Sequence, residues 1–250
     1  MTIAQGVLLA VAAFLGGALN AVAGGGSFLT FPALVFAGSA PLVANATSTV
    51  ALWPGSIASA FGYRREVAGE KRLVWLLAPV SLLGGLLGAW WVIATPEQIF
   101  AQQVPFLLLV ATLTFTFGDR LRGALAQRGT PRVWVLVALQ LLIAVYGGYF
   151  GGGMGLMMLA LFALLGPSHL HAMNGLKSVL GVAINLTALV AFVVAGKVDF
   201  LRAGLMTAAA VAGGYAGAAL ARRFDAPKVK RLVIVLGWAI TVAFFLKTFG

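Results

Sequence analysis

Long stretches without a charged residue dominate this sequence. No Asp, Glu, Lys or Arg occurs in the 63 residues from Met1 to Tyr63 or in the 44 residues from Val133 to Leu176. Each stretch is much longer than the ~20 apolar residues that one helical crossing of a bilayer requires. Interruptions by Gly, Pro and polar residues divide the chain into ten predicted helical segments. These segments cover 3–22, 27–37, 42–62, 73–94, 98–118, 133–150, 155–166, 172–195, 201–221 and 231–249.

The composition is that of a protein that lies in a membrane. Apolar residues make up 61% of the chain and charged residues only 9%, whereas about a quarter of the residues in a soluble domain are charged. A soluble fold of 250 residues could not bury so much apolar surface. The chain has no cysteine, which excludes disulfides, thiolate metal sites and thiol nucleophiles. The pattern therefore predicts an all-α polytopic membrane protein.

The two halves of the chain resemble each other. The glycine triplet at 24–26 aligns with the triplet at 151–153 at an offset of 127 positions, and the offset becomes 129 where Asn45 aligns with Asn174. The offset of 129 also superimposes three glycines of each half, namely Gly84, Gly85 and Gly88 on Gly213, Gly214 and Gly217. Such self-similarity predicts an internal duplication with five helical segments in each copy.

Thirteen of the seventeen basic residues lie in three clusters between apolar segments. The clusters fall within 64–72, 119–132 and 222–231. Because short cytoplasmic loops of membrane proteins are enriched in Lys and Arg, we expect all three loops to be cytoplasmic. No cluster is interleaved with aromatic residues that would stack on bases, so the expected partner is the lipid bilayer and not nucleic acid.

The basic loops occupy non-equivalent positions in the two copies. The loop at 64–72 corresponds to 196–201, which has only Lys197 beside Asp199, and the loop at 222–231 corresponds to 95–97, which has no basic residue. We therefore expect two repeats of inverted topology, with both termini outside. The first repeat is predicted over 1–118 and the second over 133–250, joined by the cytoplasmic basic linker 119–132.

Two of the predicted segments, 27–37 and 155–166, directly follow the glycine triplets. They are too short to cross ~30 Å of hydrocarbon at ~1.5 Å per residue, so we expect broken or re-entrant helices there. A helix that begins inside a membrane presents unpaired N–H groups and partial positive charge, which attract anions. The alternative is that the triplets form plain turns. The glycine pairs Gly84/Gly88 and Gly213/Gly217 are predicted to mediate close helix packing instead.

The positions of the ionisable residues limit the classes of substrate that the protein is expected to bind. All six acids map to loops or segment ends, which argues against a cation carrier and against a carboxylate proton relay. Lys177 is the one clearly intramembrane base; it is predicted to face an anionic substrate, or alternatively to extend to the cytoplasmic surface. His169 and His171 are compatible with proton coupling or with a solvated loop pair, and their spacing predicts neither a metal site nor a cofactor.

The predicted substrate site combines the triplets with the polar residues near Lys177 and their counterparts in the first half. It comprises Gly24, Gly25, Gly26, Ser27, Asn45, Thr47, Ser48, Gly151, Gly152, Gly153, Met154, Asn174, Lys177 and Ser178. Five further polar residues are compatible either with lining a cavity or with bonding to neighbouring helices: Asn20, Gln140, Tyr146, Tyr149 and Asn185. No nucleophile with an adjacent base and no carboxylate pair lies within the segments, so an enzyme is not expected.

Two motifs resemble those of the TauE/SafE family of sulfite exporters. They are Ala23-Gly24-Gly25-Gly26-Ser27-Phe28-Leu29-Thr30-Phe31-Pro32 and Tyr149-Phe150-Gly151-Gly152-Gly153-Met154-Gly155, each followed about twenty residues later by Asn45 or Asn174. The second copy departs from the first, with Met154 where Ser27 stands. The resemblance covers essentially the whole chain. It implies a multi-pass protein of a prokaryotic cytoplasmic (inner) membrane that moves sulfite or small organosulfonates.

The charges and the resemblance together predict a transporter for a small sulfur-containing anion. We expect alternating access, in which one repeat moves against the other with glycines as hinges. An anion channel, or a transporter of another small anion, is the alternative. Import and export, coupled and uncoupled transport, and a monomer or a homo-oligomer are all compatible with the sequence.

Overall fold

The computed structural model describes residues 1–22, 25–127, 131–165, 170–220 and 226–250. Across these residues the chain is helical and has no β-strand, so the predicted all-α architecture is confirmed. The α-helices are α1 (Ile3–Val22), α2 (Ser27–Phe36), α3 (Pro41–Gly62), α4 (Arg64–Val67), α5 (Lys71–Ala94), α6 (Glu97–Ala126), α7 (Val133–Tyr149), α8 (Met154–Ala163), α9 (Leu170–Val194), α10 (Phe200–Leu220) and α11 (Ala226–Phe249). A 3-10 turn at Ala68–Glu70 connects α4 to α5.

Each predicted segment corresponds to a helix, but the basic loops are more helical than expected. The loop at 64–72 contains α4 and the 3-10 turn, and α6 runs past 118 to Ala126, through much of the predicted linker. Helix α11 begins at Ala226, inside the loop predicted at 222–231. The reason is that Arg, Lys, Leu and Ala favour helix, so a membrane helix need not end where the hydrocarbon ends.

Four helical stretches of the described chain are long and apolar enough to cross a membrane, by length and composition: Ile3–Ala21, Arg64–Ala94, Glu97–Ala126 and Ala172–Val194. Helices α2 and α8, in contrast, have 10 residues each. At ~1.5 Å per residue each is about 15 Å long, half the thickness of the hydrocarbon core. The prediction of a short helix after each glycine triplet is thus confirmed.

Helices α1 and α2 form an antiparallel hairpin. Near the start of α1, the Gln5 side-chain amide donates a hydrogen bond to the Ala37 carbonyl, just after the end of α2 (3.1 Å). At the other end of the hairpin, the Asn20 carboxamide oxygen accepts hydrogen bonds from the N–H groups of Gly25 (2.8 Å) and Gly26 (3.1 Å). Gly25 and Gly26 of the first triplet therefore lie at the tip of this hairpin.

The connection between α7 and α8 forms a second tip at Phe150–Gly153. Gly151 and Gly153 have φ angles of +79° and +77°, a left-handed conformation that strains any residue with a Cβ atom. The Tyr146 hydroxyl donates a 2.6 Å hydrogen bond to the Gly152 carbonyl and so closes the tip. Glycine is required here by the turn itself, whatever the site contributes.

Both tips rest on α6. A Cβ atom added to Gly25 would lie 2.4 Å from the Phe115 ring, and one added to Gly153 would lie 3.2 Å from the Cα atom of Ala111. Ala111 and Phe115 are one helical turn apart on the same face of α6. This helix consequently contacts Gly25 of the first tip and Gly153 of the second.

Glycines allow the closest helix crossings. Helix α1 packs along α10, and α7 packs along α5. A Cβ atom at Gly213 would lie 1.9 Å from the Phe14 carbonyl oxygen, and one at Gly88 would lie 2.1 Å from that of Val145. The predicted packing role is confirmed for all four glycines, because a Cβ at any of them would lie within 2.7 Å of the partner helix: Gly84, Gly88, Gly213 and Gly217.

Helices α3 and α9 lie between these two pairs. They pack against each other, α3 also packs against α1, α2 and α10, and α9 also packs against α5, α7 and α8. Each of the two central helices therefore touches the hairpin of its own half and a helix of the other half. The interface between α3 and α9 is the place where residues from both halves of the chain can line one space.

Candidate functional site

A cavity of about 50 Å³ lies between the two hairpin tips, α3 and α9. The tips contribute Gly25, Ser27, Gly151, Met154 and Gly155. Helix α3 contributes Thr49, Leu52, Ser56 and Ser59, and helix α9 contributes Lys177, Ser178, Gly181 and Asn185. Asn20 of α1 and Met158 of α8 complete the lining.

The lining combines polar side chains with the apolar side chains of Leu52, Met154 and Met158, and it carries one formal charge. It contains five hydroxyls, those of Ser27, Thr49, Ser56, Ser59 and Ser178, and two carboxamides, those of Asn20 and Asn185. Lys177 supplies the charge, and no Asp or Glu is among the lining residues. Hydroxyls can donate or accept hydrogen bonds, whereas an ammonium group can only donate. The cavity therefore offers positive charge and hydrogen-bond donors without a competing carboxylate.

Lys177 lies inside the protein. Its residue is only 4% exposed, and its ammonium donates a 3.2 Å hydrogen bond to the Asn174 carboxamide oxygen, one turn earlier on α9. The side chain is therefore not extended to the surface, which was the alternative expectation. Within the described parts of the chain, the salt bridge between Arg202 and Asp199 is the only one, so no described carboxylate neutralises Lys177.

Hydroxyls join the central helices beside Lys177. The Ser59 and Ser178 hydroxyl oxygens are 3.2 Å apart and link α3 to α9. Along α3 the lining positions recur every three or four residues, at 49, 52, 56 and 59, which is the spacing of one helix face. Both helices thus turn one face, polar except at Leu52 and Gly181, towards the same cavity.

Of the fourteen predicted site residues, six line the cavity: Gly25, Ser27, Gly151, Met154, Lys177 and Ser178. Gly26, Gly152 and Gly153 belong to the hairpin tips without lining it. Asn174 does not line the cavity, but its carboxamide oxygen accepts a hydrogen bond from Lys177, which does. Gly24 lies outside the described residues, as does His169.

The three predicted residues of α3 do not line the cavity. The Asn45 amide group donates to the Tyr149 carbonyl (2.9 Å) at the end of α7. The Thr47 hydroxyl oxygen accepts from the Asp199 N–H (3.0 Å), and the Ser48 hydroxyl pairs with that of Thr30 (2.5 Å). These side chains hold helices together, so their polarity has a structural explanation.

The face of α3 that lines the cavity differs from the one predicted from the sequence, although the sequence contains a signal for it. The repeat offset of 129 relates Thr49 to Ser178 and Ser56 to Asn185, and all four of these residues line the cavity. Asn20, whose role the sequence left open, also lines it. The other three open residues bond neighbouring groups: Gln140 donates to Ser81, Tyr146 to Gly152 and Tyr149 to Gln103.

No group of three His, Asp or Glu side chains within the described ranges is close enough to hold a metal ion. The site's chemistry is therefore that of an ammonium, carboxamides, hydroxyls and backbone N–H groups.

The chain matches a known protein family over nearly its whole length. Residues 9–244 match the family model described as "Sulfite exporter TauE/SafE". The chain belongs to the TauE/SafE family. It is thus a membrane transporter, as the helical spans and the sequence resemblance predicted. No solved structure matches the chain.

Curated relatives of this TauE/SafE protein are described as probable membrane transporters. It is 26% identical over 229 residues to a "Probable membrane transporter protein" of Haemophilus influenzae, covering 91% of this chain and 89% of that one. It is 30% identical over 237 residues to "Probable membrane transporter protein ORF9" of Sinorhizobium sp, covering 94% and 90%. It is 29% identical over 232 residues to "Probable membrane transporter protein YfcA" of Escherichia coli K12, covering 91% and 83%.

Proposed function

We propose that this transporter moves a small sulfur-containing anion, sulfite or an organosulfonate, across the cytoplasmic (inner) membrane by alternating access. The observation that carries the proposal is the buried Lys177 in a cavity lined by hydroxyls and carboxamides and by no carboxylate. The family description, which names sulfite export, supports the choice of a sulfur oxyanion.

The electrostatics favour an anion over a cation. An ammonium buried without a counter-ion costs several kcal/mol of desolvation free energy. Asn174 offsets part of that cost with one hydrogen bond, and a bound anion would offset the rest with its charge. The surrounding hydroxyls and carboxamides would donate to its oxygens. A cation would meet the Lys177 charge with no carboxylate among the lining residues to attract it.

Alternating access is supported by the way the halves pair. Helix α1 packs against α2 and α10, and helix α7 packs against α8 and α5. In the proposed alignment of the halves, α7, α8 and α5 are the counterparts of α1, α2 and α10, so the two sets of contacts correspond. This correspondence supports inverted repeats over 1–118 and 133–250, joined by 119–132. The proposed orientation keeps the basic loops 64–72, 119–132 and 222–231 in the cytoplasm and both termini outside.

The test is transport by purified protein in proteoliposomes, with sulfite, thiosulfate, sulfoacetate and chloride as substrates. We expect saturable flux of a sulfur anion and counterflow, in which unlabelled anion on one side drives uptake of labelled anion from the other. Chloride flux at diffusive rates without counterflow would favour the alternative, an anion channel. Flux of none of the sulfur anions would reject the proposal.

The same liposomes report coupling and direction. Imposing a proton gradient across them tests the coupling that His169 and His171 suggest, because proton-coupled flux changes with the gradient at constant substrate. Loading sulfite on either side tests import and export separately. Crosslinking in native membranes tests whether the transporter is a homo-oligomer.

A further inference from the structure

The Asn20 carboxamide has an oxygen that accepts hydrogen bonds and an NH₂ group that donates them, and only the oxygen is paired within the described residues. Its carboxamide faces the N–H groups of Gly25 (2.8 Å) and Gly26 (3.1 Å). Because backbone N–H groups can only donate, the atom that faces them must be the oxygen and not the nitrogen. The identity of both ends of this carboxamide is therefore determined by its partners.

This pairing removes a backbone donor from the cavity. Gly25 lines the cavity at the first hairpin tip, where a bound anion would otherwise meet its N–H group. The Asn20 oxygen accepts from this N–H group and from that of Gly26. Asn20 itself lines the cavity. The two N–H donors of its NH₂ group have no hydrogen-bond acceptor among the described residues.

The second tip is built differently. There the Tyr146 hydroxyl bonds the Gly152 carbonyl, and no side chain caps the start of α8. The N–H of Gly155, which lines the cavity, donates to no residue of the described chain. One tip thus presents a side-chain amide, and the other presents the backbone directly.

We propose that Asn20 is a substrate-binding residue, which binds the transported anion through its NH₂ group while its oxygen holds the hairpin tip closed. This inference rests on the anion transport proposed above. The anion then bridges Asn20 of the first half and Lys177 of the second, both of which line the one cavity. A hydrogen bond between an NH₂ group and an anion is stronger than one between neutral groups.

Asn20→Asp separates the two roles. The substitution is nearly isosteric, and one carboxylate oxygen still accepts from Gly25 and Gly26, so the hairpin remains closed. The other oxygen replaces the NH₂ donor with a negatively charged acceptor, which repels an anion. Asn20→Ala, in contrast, removes the bonds to both glycines and loosens the tip.

The experiment measures sulfite uptake into proteoliposomes and the melting temperature for wild type, Asn20→Asp, Asn20→Ala and Lys177→Met. We expect Asn20→Asp to melt near the wild type and to lose uptake by about tenfold or more, since a charge-assisted hydrogen bond becomes a repulsion. Asn20→Ala is expected to melt at a lower temperature than either.

Three outcomes overturn the inference. Wild-type uptake by Asn20→Asp, with Lys177→Met inactive, would leave Asn20 a purely structural residue and the proposed function intact. Where Asn20→Asp does not fold, wild-type uptake by Asn20→Ala, which also lacks the NH₂ group, would overturn the inference in its place. Absence of sulfur-anion uptake by the wild type would remove the proposed function, and this inference with it.

Discussion

The indole N–H of Trp53 donates a 3.3 Å hydrogen bond to the Val182 carbonyl, and the two residues are separated by 129 positions. That separation equals the offset that aligns Asn45 with Asn174, so a residue of α3 contacts its own counterpart in α9. Contact between equivalent residues is what occurs where a twofold axis passes. The bond therefore supports the proposed duplication with an axis between α3 and α9.

The hydroxyls of Thr112 and Thr241 form a similar contact. Their oxygens are 3.0 Å apart, and these residues too are separated by 129 positions. The halves drift by up to three residues near their ends, where Thr116 aligns with Thr248, so the two threonines lie within one helical turn of equivalent positions. The same axis would then pass between α6 and α11.

Lys177→Met is expected to reduce anion uptake by about a hundredfold, because truncating one partner of a buried charge pair costs roughly 2–5 kcal/mol of binding free energy. Lys177→Arg keeps the charge and should retain part of the uptake. The measurement is initial rate against sulfite concentration in proteoliposomes. The matched control is Lys247→Met, which removes an exposed lysine near the end of α11. Equal rates for Lys177→Met and the control would exclude Lys177 from the site.

Single cysteines should report the topology cleanly, because the chain has no cysteine of its own. We expect Gly69→Cys and Gly123→Cys to react with a membrane-impermeant maleimide only after the cell is opened. Thr2→Cys and Lys197→Cys should react in intact cells. Labelling of Thr2→Cys and Lys197→Cys on opposite sides would contradict the proposed inverted repeats.

Gly213→Ala is expected to lower the stability by about 1–3 kcal/mol, the usual cost of overpacking a tight contact. Its Cβ would lie 1.9 Å from the Phe14 carbonyl oxygen, so α1 must move away from α10. Gly204→Ala, on the same helix, is the control, since nothing lies within 4 Å of its Cβ position. That control should gain up to about 1 kcal/mol of helix propensity. Thermal unfolding in detergent compares the two, and an equal melting temperature would contradict the crossing.

Gln140→Leu is expected to leave the melting temperature unchanged or to raise it. Gln140 is fully buried, and its amide group donates to the Ser81 hydroxyl (2.9 Å), but its carbonyl oxygen has no partner among the described residues. Such an oxygen costs about 1–3 kcal/mol, which leucine would recover. Ser81→Ala should do the opposite, because it leaves the amide group with the Met158 sulfur as its one acceptor among the described residues, at 3.7 Å. A strongly destabilised Gln140→Leu would show that the oxygen has a partner.

Much of the fold could be predicted because insertion into a membrane depends on the hydrophobicity of consecutive residues. Charged residues are excluded from a hydrocarbon layer of known thickness, so the uncharged stretches show where the membrane helices are. A helix of about 10 residues after a glycine triplet cannot span that layer, whichever helices pack around it. Lys177 stood out for the same reason: it is the only base clearly inside an apolar segment, and its burial is as expected.

The faces of the helices could not be predicted in this way. Asn45, Thr47 and Ser48 are as polar as Thr49, Ser56 and Ser59, and all six lie on α3. Which of them face the cavity depends on the rotation of α3 about its axis. That rotation is determined by neighbours distant in sequence, including Tyr149 and Asp199, which bond Asn45 and Thr47.

By itself, then, the amino-acid sequence determined which stretches of the chain are helical, that two of the helices are short, and that the apolar segments hold a lysine but no acid. Each of these follows from solvation, which acts on every residue according to its own chemistry. Only the tertiary structure decided which polar side chains line the cavity and which form hydrogen bonds between helices. Hydrogen bonds are directional and act over about 3 Å, so they depend on which residues the packed helices bring within that distance.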